Sequence, residues 1–364
     1  MIIHKSILKE LIKNMSVIIF SLSIILFMEK FVKLTKLFMG KGADLLDIFK
    51  IFLYIQPSIL LLSVPMAILI SIFLTYGRMA ADNEIIVLKS TGMTFLGISR
   101  AAIIISFISF AALLFISLYL LPRSTQAFNH TLHQTIVKKA SLTLEAESFS
   151  DVFKGTVIFI KKMPSQNRFN GIFVYREAEK AEDNPFVIVA EKGLMSSDPD
   201  EGVIKLTMKN GSIHSYKKDS SSENSFSEYD FILTTGIKAS KDAKPDEIRT
   251  SRLWEGRKSN LPWAIELNRR LALPFACLIF GILAPALSHK SGKIGRLGGF
   301  SISLTIIILY YLFLIMGEGL SKSGGLTPFL GSWLPNIFFS AIAAVFVYIA
   351  HIDKPLRKFQ YGTN

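Results

Sequence analysis

The sequence holds a single cysteine, Cys277, in 364 residues. No intrachain disulfide can form, so any part facing an oxidising compartment folds without cross-links. Cys277 falls inside an apolar run and reads as a small packing residue. Signatures of catalysis are just as sparse. There is no Walker A sequence, because Ser291-Gly292-Lys293-Ile294 lacks the earlier glycine and the Ser or Thr after the lysine. There is no G-x-S-x-G and no H-E-x-x-H. His130 and His133 form H-x-x-H, but two histidines without further ligands make a poor metal site. No metal is therefore expected. Glu145 and Glu147 adjoin no His or Ser pattern that would use them and read as solvated. The chain reads as a non-enzyme that binds no cofactor directly. If it moves a substrate, the energy comes from another chain or from an ion gradient.

What the sequence has in abundance is long apolar runs. A membrane-spanning helix needs about 20 mostly apolar residues. Six segments qualify: about Met15–Phe38, Ile51–Tyr76, Ala101–Leu121, Leu271–Ser288, Phe300–Gly317 and Leu334–His351. The first is too long for a signal-peptide core and no small-residue cleavage site follows it, so it is expected to remain as a span. Pro57 and Pro65 in the second span, and Pro274 and Pro285 in the fourth, interrupt backbone hydrogen bonds and favour bends. Such bends suit either moving levers or plain structural kinks.

Lysine and arginine at the span ends set the orientation. With the N-terminus inside, the inner side collects Lys5, Lys9 and Lys13; Arg78, Lys89 and Arg100; Lys290, Lys293 and Arg296; and Lys354, Arg357 and Lys358. One outer stretch departs from the rule. Lys30, Lys33, Lys36, Lys41 and Lys50 lie at the outer end of the first span and just after it, against Glu29, Asp44 and Asp47. Lys30 and Lys33 are three apart and share a helix face. They suit either snorkelling to lipid headgroups or a cationic rim for a phosphorylated amphipathic substrate.

Between the third and fourth spans, residues 123–262 differ in kind. Short alternating stretches rich in Val, Ile, Phe, Tyr and Thr predict strands at Thr156–Lys162, Gly171–Arg176, Phe186–Glu191, Gly202–Met208, Ser212–Tyr216 and Glu228–Thr234. Asn210-Gly211 between two of them predicts a tight hairpin, and Ser220–Ser225 a polar loop. Pro122 to about Ser150 reads as a helical or irregular lead-in, and Asp242–Asn260 as a helical connector. The pattern points to an all-β sandwich or jelly roll. This insert carries 21 Lys and Arg against 19 Asp and Glu, a balance of +2, leaving +11 of the total +13 in or beside the membrane. A nucleic-acid domain would concentrate its charge in the soluble part, so nucleic acid is not an expected partner. Anionic lipid is.

The loop Gly77–Arg100 is short and lies on the inner side. Met79–Ser90 predicts one amphipathic helix with Asp82 and Glu84 at its acidic start, which suits the positive end of the helix dipole. Such a helix lets a soluble motor push on a permease; the same residues also suit a solvated loop. Two other classes compete. A lipid-modifying enzyme would need a His, Asp or Glu cluster at the aqueous edge, which the sequence lacks. A membrane sensor or scaffold with a periplasmic ligand-binding β domain would usually carry a longer cytoplasmic part.

Several stretches carry a family resemblance: Leu61–Ala81 running into Asn83-Glu84-Ile85 with Gly92 and Met93; Val189–Gly193 followed by Leu206–Ile213; Glu266–Pro274; and Trp333–Asn336. In this order, around a β insert, they resemble the LptF/LptG family of lipopolysaccharide-export permeases over the whole chain. They occur in both members of the family and do not separate one from the other. The resemblance implies an α-helical membrane protein with six transmembrane helices plus an inserted periplasmic all-β, jelly-roll-like domain. It divides the chain into 1–122, spans one to three with a coupling helix at about 79–90; 123–262, the β domain with its connectors; and 263–364, spans four to six with a short tail. It implies a permease half-subunit of an ABC transporter in the bacterial inner membrane. The implied partners are an LptB-like cytoplasmic ATPase dimer that uses the ATP, a second LptF/LptG-type permease, LptC/LptA-like periplasmic jelly-roll bridge proteins, and lipopolysaccharide itself. By that likeness Glu84, with Asp82 and Arg78, is the ATPase-coupling position. Lys30 and Lys33, with Lys36, Lys41, Arg123 and Lys322, are candidates to hold substrate phosphates. Glu266 and Arg270, four apart, are placed to pair on one helix face.

Overall fold

A computed structural model describes residues 2–38, 45–140, 146–153, 155–165, 167–177, 185–198, 203–217, 220–234, 244–290 and 295–352. The helices are α1 (Ile2–Phe38), α2 (Leu45–Ala81), α3 (Glu84–Ser90), α4 (Phe95–Phe115), a π-helical turn at Ile116–Leu120, α5 (Leu121–Ala140), α6 (Thr250–Gly256), α7 (Leu261–Lys290), α8 (Gly295–Lys322) and α9 (Pro328–Ile352). The strands are β1 (Phe149–Phe153), β2 (Thr156–Ser165), β3 (Arg168–Arg176), β4 (Phe186–Asp198), β5 (Val203–Lys217) and β6 (Ser220–Thr234). Among the described residues six helices are long and apolar enough to cross a membrane, and the sheet is inserted between the third and fourth of them. The fold class expected from the sequence is therefore present. The helices overrun the apolar segments at their polar ends, because helical hydrogen bonding continues where the side chains turn hydrophilic.

Two compact units divide the chain. One comprises 1–30, 55–125 and 244–364; the other comprises 31–54 and 126–243. The core of the first gathers Leu11 of α1, Ile68, Ile72 and Phe73 of α2, Ile98 and Ala102 of α4, Ala276, Cys277 and Phe280 of α7, and Tyr310 of α8. Cys277 is a packing residue, as its apolar setting suggests. Close approach fixes the α4–α7 contact: a Cβ at Gly281 would overlap the Ser106 side chain.

The six strands pair antiparallel in sequence order, β1 through β6. Their buried face holds Ile158, Ile160, Phe169, Ile172, Val174, Ile188, Leu206, Met208 and Phe231. Asn210-Gly211 is not a hairpin turn. β5 runs through it, pairing Lys209 with Lys192 and Gly211 with Ala190 on one side and Lys217 with Ser220 at its end. Asn210 takes a left-handed backbone (φ 54°), which asparagine tolerates, within a continuous ladder. Gly211 is needed there because a Cβ would overlap the Val189 carbonyl oxygen. The stretch Ser220–Ser225 is likewise strand rather than loop, its serines paired against Ser212–Lys217. Polar composition misled because Ser222, Glu223, Asn224 and Ser225 are exposed, where a polar side chain costs nothing in a strand. Strand β1 carried too short an alternation to be seen in the sequence. On the β5–β6 ladder, Asp230 accepts from Lys205 (2.7 Å) and the Thr207 hydroxyl (2.7 Å), which holds its carboxyl below the usual range.

Where β-domain connector and α7 meet, the buried pair Glu266–Arg270 forms as the spacing suggested, with Arg270 Nε donating to Glu266 Oε1 at 2.9 Å. The guanidinium does more than pair. Its Nη1 donates to the Ile248 carbonyl (2.9 Å) and Thr250 Oγ1 (3.1 Å), and its Nη2 to the carbonyls of Pro245 (3.2 Å) and Asp246 (2.9 Å). The arginine fork thus ties residues 245–250 to α7. Pro274 lacks the N–H that would meet the Arg270 carbonyl one turn back. Ser117, in the π turn, supplies a hydroxyl to that carbonyl at 2.8 Å. Thr250 donates in turn to the Leu118 carbonyl at 2.8 Å.

Candidate functional site

The site builds from the corner where α2 gives way to α3. The expected single helix over Met79–Ser90 is two elements. Met79–Ala81 ends α2, Asp82 and Asn83 turn, and α3 runs only from Glu84 to Ser90. Asn83 breaks the helix with a left-handed backbone (φ 58°), and its carbonyl accepts from Ile86 and Val87. Gly92 (φ 85°) closes α3. Its N–H meets the Lys89 carbonyl, and the Met93 N–H reaches back to Leu88. These two bonds form a Schellman cap, with Met93 and Leu88 sharing one apolar cluster. Thr94 then caps α4 by accepting from the Gly97 N–H at 3.2 Å. A seven-residue helix is too short to hold by itself; here the cap at its C-terminal end and two buried side chains, Ile85 and Leu88, fix it.

Arg78 gathers three carboxylates. Its Nε and Nη2 donate to the two oxygens of Glu10 at 2.9 and 2.8 Å, a bidentate pair. Its Nη1 donates to Asp82 (3.1 Å) and Glu84 (2.6 Å). Three carboxylates around one guanidinium leave this cluster with an excess of two negative charges. Sequence reading brought Arg78, Asp82 and Glu84 together correctly but missed Glu10, which lies 68 residues from Arg78. The available signal was a lone acid among Lys5, Lys9 and Lys13 on α1. Between α1 and α3 lies a cleft of ≈ 440 Å³ lined by Ile3, Ile7, Glu10, Arg78, Glu84 and Val87, among others. On the outward side of α3, Ile86 is 62% and Val87 59% exposed. Two exposed β-branched side chains beside an anionic cluster form a small amphipathic face suited to a partner with an apolar pocket and a cationic rim.

The other candidate residues are not brought together in the same way. Lys30 on α1, Arg123 on α5 and Lys322 on α8 are each exposed, on three different helices. Lys33 and Lys36 belong to α1, but their side chains, and the whole of Lys41, lie outside the described residues. Lys322 borders a cleft of ≈ 250 Å³ with Arg269, Glu266, Glu318 and Asp246, and Arg269 pairs with both Glu266 and Glu318. Among the described residues no cluster of three or more His, Cys, Asp or Glu could hold a metal ion. His130 is exposed, and the side chain of His133 lies outside the described residues. Glu147 is exposed, and Glu145 lies outside them.

Six apolar helices, a β insert after the third and a capped helical corner after the second define a multi-span membrane protein with the parts of a transport permease. The family model of the lipopolysaccharide export system permease LptF/LptG matches residues 5–349, and the chain belongs to that family. It is similar to the lipopolysaccharide export system permease protein LptF of Escherichia coli K12, 22% identical over 356 residues, covering 95% of this chain and 94% of that protein. The LptF protein of Shigella flexneri matches to the same extent. An uncharacterized protein of Rickettsia prowazekii is 23% identical over 193 residues, and the match spans about half of each chain, 53%.

Proposed function

We propose that the chain is a permease half-subunit of an ABC transporter that extracts lipopolysaccharide from the inner membrane and passes it to a periplasmic β-jelly-roll bridge. Hydrolysis of ATP falls to an LptB-like ATPase dimer in the cytoplasm, and a second LptF/LptG-type permease completes the membrane part. The observation that carries this reading is the α2–α3 corner. Ile86 and Val87 stand exposed beside the Arg78 cluster on a seven-residue helix that Ile85 and Leu88 hold in place. Docking them in a motor subunit buries both, while Glu84 and Asp82 meet its basic rim. In this reading residues 1–122 and 263–364 form the membrane part and 123–262 the periplasmic domain. Among the described residues the terminal strands β1 and β6 each have one neighbour in the sheet. Either offers backbone groups to which the strand of an LptC/LptA-like bridge protein can add. Lys30, Lys33, Lys36, Lys41, Arg123 and Lys322 line the outer path as phosphate contacts, each charge-assisted bond contributing roughly 1.5–3 kcal/mol where water is partly excluded.

Topology is the first test. Ser222→Cys, exposed on β6, is expected to react with a membrane-impermeant maleimide added to intact spheroplasts. Lys354→Cys is expected to react only after lysis. The reverse pattern places the β domain inside and defeats the proposal.

A further inference from the structure

Building on that proposed function, we infer that the bidentate Arg78–Glu10 pair is the joint through which the α3 corner moves the first span. Arg78 bonds at once to α1, to the turn and to α3, through Glu10, Asp82 and Glu84. The attachment of α1 to its unit is concentrated at the same level. Its buried side chains among the described residues are Ile7 and Leu11. Next to them Asn14 donates to Thr75 Oγ1 on α2 at 3.0 Å. Farther out the helix packs with half-buried Met15, Ile18, Ile19 and Leu22, and then Ile24, Ile25 and Met28 are exposed. A helix whose fully buried side chains gather at one end carries a push applied there along its length as a rod. Glu10 and Lys30, twenty residues apart, are separated by about 30 Å of that rod.

The chemistry of the joint makes it responsive. Glu84 and Asp82 share one Arg78 nitrogen, Nη1, while Glu10 holds Nε and Nη2. A cationic side chain of the motor that pairs with the other carboxylate oxygens, Glu84 Oε2 and Asp82 Oδ1, leaves both bonds to Arg78 Nη1 and the fork on Glu10 in place, so force on the corner reaches α1 through the guanidinium. Ile7 and Leu88 close the space behind the pair, on the two walls of the cleft. Glu10 is thus a positioning residue: it touches neither the motor face nor the outer lysines.

The test uses the complete transporter in proteoliposomes. Glu10→Gln keeps the size of the side chain and removes its charge. Its expected phenotype is a complex that still assembles but releases about tenfold less lipopolysaccharide per ATP hydrolysed. A second measurement reads the joint without transport. In a Cys277→Ala background, Ser6→Cys with Leu88→Cys places a thiol on each wall of the cleft and leaves the Ile86–Val87 face unaltered. With Glu10 present, oxidative cross-linking is expected to stay constant when ATP and vanadate are added; with Glu10→Gln it is expected to fall several-fold. Equal lipid release per ATP in Glu10→Gln, or cross-linking that responds to nucleotide identically in both backgrounds, overturns the joint. Loss of assembly overturns it too, by making the pair a structural brace. Failure of the unsubstituted chain to bind a motor or move lipid instead defeats the proposed function.

Discussion

Arg270→Ala is expected to be the most damaging single substitution in the chain. The side chain is fully buried, and each of its five N–H groups has a partner: Glu266, the Thr250 hydroxyl and three backbone carbonyls between Pro245 and Ile248. Truncation leaves those carbonyls unpaired and Glu266, also buried, with Arg269 as its remaining cation. Removing one partner of such a pair costs about 3–5 kcal/mol. The expected outcome is a sharp loss of monodisperse protein after detergent extraction, with a fall in thermal midpoint on the order of 10 °C for whatever survives. Arg270→Lys keeps the charge beside Glu266 but loses the planar fork, and is expected to fall between the two. A midpoint for Arg270→Ala equal to that of the unsubstituted chain would show that the strap over residues 245–250 contributes nothing.

The second large effect is expected at the outward face of α3. Burying an isoleucine or valine side chain contributes roughly 1.5–3 kcal/mol, so Ile86 and Val87 together supply a substantial part of any docking energy. Ile86→Asp with Val87→Asp also adds two anions to a cluster that already carries an excess of negative charge. Loss of about 3–6 kcal/mol corresponds to a weakening of motor binding by about two to four orders of magnitude. Ile86 and Val87 are exposed, whereas Ile85 and Leu88 are the buried residues that pack α3, so the permease itself should remain folded. Glu84→Gln is expected to do much less, since an amide oxygen still accepts from Arg78. Glu84→Lys is a poorer experiment than it looks from the sequence, because it sets a lysine against the guanidinium 2.6 Å from the present carboxylate.

What could be read from the sequence divides along physical lines. Spans were legible because hydropathy over 20 residues is a large, local signal, and the β insert because alternation marked five of its strands. The acidic corner was legible as composition but not as geometry. Asn83 and Asn210 each take a left-handed backbone, and nothing local distinguishes an asparagine that ends a helix from one that is carried inside a strand. Asn210-Gly211 has the composition of a turn; what keeps it in the ladder is pairing with Glu191 and Ala190 on the neighbouring strand, which no local window contains. Glu10 was missed for the same reason. Its partner is 68 residues away, and a lone acid among three lysines does not by itself mark a distant pair. The Glu266–Arg270 spacing pointed to a pair, yet the three carbonyls that make the arginine indispensable come from a connector with no sequence signature.

The most direct test of the central claim is transfer of lipid in a reconstituted system. The chain, a second LptF/LptG-type permease and an LptB-like ATPase are placed in liposomes with lipopolysaccharide, and a bridge protein carrying a photo-reactive residue is added outside as the acceptor. The account predicts ATP-dependent cross-linking of lipopolysaccharide to the acceptor, abolished by Ile86→Asp with Val87→Asp in this chain. Transfer that proceeds at the full rate with those two substitutions, or that needs no ATPase at all, would contradict it.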